Sequence, residues 1–141
     1  MGFMITAASG IFALTMIGAI IAIPYSTRWL NRRYGPSTVK LGLAINIHQT
    51  IGYALLATAV IHMYASMGGG LVMRLNPNGI TSATLGLLLL LVQVVLGFSR
   101  PPPGDATIRV WRSTHFIVML GIVSCIAVHV WLNGMLIYRI L

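Results

Sequence analysis

The chain has 141 residues, 57% of them hydrophobic and only 7% charged, and it carries a formal net charge of +8. That balance is far too apolar for an ordinary soluble domain and predicts a single compact integral membrane protein. The nine Lys and Arg residues fall in the connections between apolar runs, which excludes a nucleic-acid partner and assigns the charge to membrane orientation. Asp105 is the sole acidic residue, so paired-carboxylate catalysis and a carboxylate proton relay are excluded. Cys125 is the sole cysteine, which excludes internal disulfides, a four-cysteine iron–sulfur site and thioether attachment of a c-type haem.

Four runs are long enough to cross a hydrocarbon core of roughly 30 Å. Span 1 is expected over about residues 5–23, with Pro24, Tyr25, Ser26 and Thr27 ending it. No Lys or Arg precedes it and a basic flank follows it, which favours a retained helix over a signal peptide. The first connection, about residues 24–39, holds Arg28, Arg32, Arg33 and the turn signal Gly35-Pro36, with Lys40 at its end. Span 2 is expected over about residues 41–65, up to the break at Gly68-Gly69-Gly70. The second connection carries Arg74 and the turn Asn76-Pro77-Asn78-Gly79.

Span 3, about residues 81–98, is uniformly apolar apart from Gln93, and packing is its expected role. The third connection holds Arg100, Pro101-Pro102-Pro103, Asp105, Arg109 and Arg112. Span 4 covers about residues 113–136, ending near Asn133-Gly134, with Arg139 beyond it. Seven basic residues (Arg28, Arg32, Arg33, Lys40, Arg100, Arg109, Arg112) then lie on one side and two (Arg74, Arg139) on the other. The positive-inside rule places both termini on the non-cytoplasmic side. Tyr25, Trp29, Tyr34 and Trp111 at the inner ends and Tyr64, Trp131 and Tyr138 at the outer ends form an aromatic belt; Tyr64 and Trp131 are also candidates to flank a cofactor.

The chemistry lies in the four histidines, the only ones in the chain. His48 and His62 are fourteen residues apart in span 2, and His115 and His129 repeat that spacing in span 4. Fourteen residues of α-helix turn through about 1400°, some 40° short of four turns, so both imidazoles of a pair leave one face about 21 Å apart along the axis. Spans 2 and 4 are separated by one span and run parallel, so equal spacing matches depth with depth. His48 is thereby paired with His115 in the inner half, and His62 with His129 in the outer half. Each level supplies two imidazoles and nothing else ionisable. That is a poor set for zinc, which takes four ligands, but the axial set a haem iron needs, the porphyrin supplying the other four nitrogens.

The expected cofactors are accordingly two haem b groups, ligated by His48/His115 and His62/His129. Gly52 and Ala59 share the span 2 histidine face (His48, Gly52, Leu55, Ala59, His62) and would let a flat macrocycle approach the backbone; small-residue helix packing is the competing account. The span 4 face is bulkier, with Gly121 pointing off it. Arg112, with Arg109 and Lys40, is the inner candidate for haem propionates, and Arg74 and Arg139 are the outer ones. With both axial positions filled, outer-sphere electron transfer is favoured over oxygen chemistry.

A His-x13-His pattern on two parallel spans flanking a third resembles two families. One is the four-helix, di-haem half of the cytochrome b of quinol-oxidising bc complexes. The other is the membrane core of ferric reductases and NADPH oxidases. The resemblance covers about residues 40–134 and implies axial ligation by His48, His62, His115 and His129. The chain departs from both, having neither the further helices and Pro-Glu-Trp-Tyr quinol motif of the first nor any flavin or nicotinamide domain of the second. The expectation is an all-α, integral membrane four-helix bundle carrying electrons across the bilayer. It would be an oxidoreductase subunit or homo-oligomer whose redox partner is another protein or a quinone. Alternatives are a quinol-linked cytochrome b subunit, with Gln93, Ser99 or Asn133 as polar candidates, and a non-redox scaffold or metal transporter whose histidines serve packing or metal passage.

Overall fold

A computed structural model describes residues 2–36, 38–68, 75–102 and 104–133. It is all-α, with four helices: α1 (Gly2–Tyr34), α2 (Leu41–Gly68), α3 (Pro77–Phe98) and α4 (Ile108–Asn133). All four are long and apolar enough to cross a membrane. Large apolar side chains such as Ile11, Phe12, Leu88, Val95 and Ile117 are exposed, as expected where the surrounding solvent is hydrocarbon. The expected positions Gly69, Gly70, Arg74, Pro103, Gly134, Tyr138 and Arg139, and the last turn of span 4, lie outside the described residues.

The chain divides into two compact units, residues 1–65 and 66–141, each essentially one helical hairpin. In the first, α1 and α2 are joined by a short link that Asn31 closes. Its side-chain amide donates to the Val39 carbonyl at 3.1 Å and its oxygen accepts from the Val39 amide at 2.8 Å. Gly35, at φ 111°, ends α1 in the left-handed conformation that glycine tolerates, so the turn expected there is present.

Pro24 does not end the first span. α1 continues through it to Tyr34, so Arg28, Arg32 and Arg33 ride on the last turns of a helix and not in a loop. The reason is tertiary. Proline removes the N–H that would bond Ile20, four residues back, and His48 on α2 approaches the Ile20 backbone there. In an apolar medium a freed carbonyl resatisfied by a neighbouring helix permits proline inside a span.

In the second unit the Asn76-Pro77 signal also reads differently from expectation. It starts a helix: Asn76 is the N-cap of α3, its side chain accepting from Asn78 N at 3.0 Å, and Pro77 occupies the first turn, where a missing N–H costs nothing. The link to α4 is set by Asp105, whose Oδ1 accepts from the Thr107 hydroxyl at 2.6 Å and the Thr107 amide at 2.7 Å. Those bonds hold the Asp105 carboxyl below its ordinary value, the hydroxyl being the larger cause. α4 therefore starts five residues before the expected boundary, and Arg109 and Arg112 lie exposed on its first turns.

α3 and α4 pack through small residues. A Cβ on Gly86 would stand 3.2 Å from Cys125 Cβ, and one on Gly121 3.0 Å from Leu89 Cδ1. Gly121 thus faces α3, off the histidine face as expected. The buried apolar side chains among the described residues are Ala44, Leu55, Leu90 and Ile122. Leu55 and Ile122 each lie seven residues after the first histidine of their helix, midway between its two imidazoles.

Candidate functional site

Within the first hairpin His62 turns a ring nitrogen to the backbone of α1. His62 Nδ1 is 2.9 Å from the Thr6 carbonyl oxygen and 3.1 Å from Ser9 Oγ. A carbonyl only accepts, so Nδ1 carries the proton, and in the neutral ring Nε2 is the nitrogen with the lone pair. Close approach depends on Gly10, where a Cβ would stand 3.2 Å from His62 Cε1 and 3.5 Å from Nδ1. Fourteen residues along α1 and fourteen back along α2, His48 meets Ile20 in the same antiparallel register.

The second hairpin repeats the arrangement. His129 Nδ1 is 2.9 Å from the Gly79 carbonyl oxygen. Fourteen residues further along α3, Gln93 meets His115, its side-chain amide donating to the His115 carbonyl at 3.1 Å. The match extends to the serine three residues beyond each acceptor: Ser9 Oγ lies 3.1 Å from the Thr6 oxygen and Ser82 Oγ 2.9 Å from the Gly79 oxygen. Thr6, Ser9 and Ile20 on α1 thus have the same spacing as Gly79, Ser82 and Gln93 on α3. α1 and α3, which carry no histidine, hold the rings of His62 and His129 through backbone carbonyls, and Gln93 holds the His115 backbone.

No protein-family model, curated protein or solved structure matches the chain. The residues alone therefore carry the chemistry.

The tautomer argument gives His62 and His129 a defined ligating atom. A metal-bound imidazole characteristically donates its other N–H to a backbone carbonyl or carboxylate, which fixes the ring and raises its basicity. Nδ1–H on a carbonyl with Nε2 as the remaining donor atom is that arrangement, so these residues fit an axial haem ligand. No group of three or more His, Cys, Asp or Glu side chains converges among the described residues, so they offer no tetrahedral zinc set there.

The supporting residues expected from sequence fare unequally. A Cβ on Gly52 would meet nothing within 4 Å, so this glycine is not explained by tight helix packing. Ala59, half-buried, lies three residues before His62. Arg112 is exposed one turn before His115. Tyr64 and Trp131 are 79% and 82% exposed and turned away, because two residues on a helix is about 200° of rotation from the neighbouring histidine; they do not flank it.

Trp111 is the aromatic residue that does reach a histidine. Its ring stacks on His115 with centroids 5.0 Å apart and planes 21° apart, and its Nε1–H donates to the Leu96 carbonyl at 2.8 Å. The spacing of four residues was available in the sequence, but belt position alone does not distinguish it. The polar residues expected at a quinol site have structural partners: Asn133 bonds Asn76, Gln93 the His115 carbonyl and Ser99 the Leu96 carbonyl.

Proposed function

We propose that the chain is a di-haem b-type cytochrome that carries single electrons across the membrane, with His48, His62, His115 and His129 as axial ligands. The observation that carries this reading is the hold on His62 and His129. Each gives its Nδ1 proton to a backbone carbonyl of the preceding helix, leaving Nε2 as donor, and each lies fourteen residues from a second histidine in the same helix.

Four spans crossing in turn run α2 and α4 in the same direction, so equal spacing pairs His48 with His115 and His62 with His129 by depth. The basic residues of the two inner connections put the first pair toward the cytoplasm and both termini outside it. Haem bound between two imidazoles supplies a reversible one-electron couple with no open coordination position. The chain's own residues contribute basic nitrogens held against rotation and an apolar surround. Gly52 supplies an opening beside His48, and Arg112, Arg109 and Lys40 supply cations for propionates at the inner end. Electrons enter and leave through a redox partner, either a protein or a quinone, and the chain acts as an oxidoreductase subunit or homo-oligomer.

A packing role for the histidines explains hydrogen bonds between helices, worth about 0.6–2 kcal/mol each. It does not explain why two helices repeat one interval, or why Thr6 on α1 and Gly79 on α3, each followed three residues later by serine, present matching carbonyls to His62 and His129. The deciding measurement is a dithionite-reduced minus air-oxidised spectrum of the purified chain, with extracted haem counted per polypeptide. Sharp b-type bands with two haems per chain are expected. Colourless protein from haem-replete cells would overturn the reading in favour of a scaffold or metal transporter.

A further inference from the structure

We propose that the last turns of α1 form a binding surface for anionic phospholipid headgroups, built from Arg28, Arg32 and Arg33 with Tyr25 and Trp29 set among them. This surface needs no cofactor and stands apart from the di-haem reading.

Length sets its depth. Residues 3–23 of α1 carry no charged group. At about 1.5 Å per residue they span about 31 Å, which fills a hydrocarbon core of roughly 30 Å. The helix nevertheless continues to Tyr34, and every arginine it contains lies on the turns that remain. Those turns extend about 16 Å further at the same rise, through the layer of the headgroups.

The basic face is turned away from the rest of the first hairpin. Successive helical residues are about 100° apart, so Arg28, Arg32, Tyr25, Trp29 and Arg33 fall in that order within about 140° of arc. All five are exposed. The opposite face carries Thr27, Leu30 and Asn31, which are half-buried, and Asn31 bonds the link to α2 at Val39. Tyr34 braces the Trp29 ring edge-on, with centroids 6.2 Å apart. Trp111, in contrast, is half-buried and gives its N–H to the Leu96 carbonyl.

Charge identifies the occupant. Arg28 and Arg32 are one turn apart, about 5–6 Å between Cβ atoms, where like charges destabilise a helix. Residues 1–65 contain no Asp or Glu, and Asp105, the only acid in the chain, gives its Oδ1 to Thr107. An external anion therefore supplies the counter-charge. A phosphate accepts paired N–H bonds from a guanidinium fork, and the phosphate found at this depth is that of a lipid headgroup. Exposed indole and phenol rings favour the same layer, which a soluble anion would not exploit.

The test places the full chain, with or without haem, in nanodiscs of equal parts phosphatidylcholine and phosphatidylglycerol. Lipid retained on release is counted by native mass spectrometry. Phosphatidylglycerol should be retained in preference, and its ratio to phosphatidylcholine should fall roughly fivefold for each arginine removed, in Arg28→Gln and then in Arg28→Gln/Arg32→Gln. Both positions are exposed and glutamine is a good helix former, so the helix is kept, which circular dichroism checks. Arg100→Gln removes one charge from the link after α3 and should leave the ratio near that of the parent. Equal retention of the two lipids by the parent, or an equal fall in Arg28→Gln and Arg100→Gln, would overturn the proposal. So would a preference abolished by inorganic phosphate at an ionic strength matched with chloride, which would assign the surface to a soluble anion.

Discussion

Gly79 and Asn133 form a tightly coupled pair in the second hairpin, beside the carbonyl that holds His129. Asn133 Oδ1 accepts from the Asn76 amide at 2.7 Å, satisfying a donor at the start of α3, and Asn133 is buried. A Cβ on Gly79 would collide with the Asn133 side-chain amide. Asn133→Ala leaves the Asn76 N–H without its acceptor and should cost about 1–3 kcal/mol. Gly79→Ala should cost a similar amount, because the new methyl displaces Asn133 and breaks the same bond, offset by up to about 1 kcal/mol of helix propensity. In the double variant the bond is lost only once, and the shortened side chain on α4 leaves room for the new methyl on α3. The two costs should therefore fall short of additivity by about 1–3 kcal/mol, well outside the roughly 0.3–0.5 kcal/mol scatter of independent sites. The assay is reversible unfolding of the four proteins in detergent, with haem absorbance followed alongside. Additive costs would refute this packing of Gly79 against Asn133, and with it the positioning of the Gly79 carbonyl for His129.

Three further outcomes are expected. Gly52→Leu should leave the unfolding midpoint of the haem-free chain nearly unchanged, since even a Cβ there meets nothing within 4 Å, and should reduce haem bound at the His48 level; a large loss of apoprotein stability would show that Gly52 is a packing contact. Trp111→Phe keeps an aromatic ring near His115 but removes the donor to the Leu96 carbonyl, a loss of about 0.5–1.5 kcal/mol measurable in the same unfolding assay, whereas Trp111→Ala also removes the ring stacked on His115 and, on the di-haem proposal, should broaden the spectrum of a haem held there. Because its hydrogen bonds hold the Asp105 carboxyl below its ordinary value of 3.8, the stability it adds to the start of α4 is complete above that pH and is lost as pH falls through the lower folded value. Trp111 emission should therefore respond below pH 3.8 in the parent chain and lose that response in Asp105→Asn.

The four helices were legible because each needs only length and apolarity, and the histidine interval because a helix converts a number of residues into a direction. Gly35 was legible for the same local reason. Pro24 was not. A proline after an apolar run reads as a stop, yet α1 carries it as an interior residue. Asn76-Pro77 carries both a turn and a helix-start meaning, and the choice depends on what the following residues pack against. The part played by α1 and α3 was hidden more deeply, because they act at Thr6 and Gly79 through backbone carbonyls, and every residue type has one.

That use of carbonyls bears on how the two hairpins arose as sites. A side-chain acceptor would need a particular residue at each position and, in an apolar span, would add a polar group to be desolvated. A carbonyl already bonded within its helix retains a second lone pair, so it can orient an imidazole at little further cost. The constraint on α1 and α3 is then spacing and close approach more than residue identity. Thr6 and Gly79 share no side-chain chemistry, yet each lies one register step from a histidine and is followed three residues later by serine. On this account enlarging Gly10, whose missing Cβ admits the His62 ring, should loosen the hold on that ring.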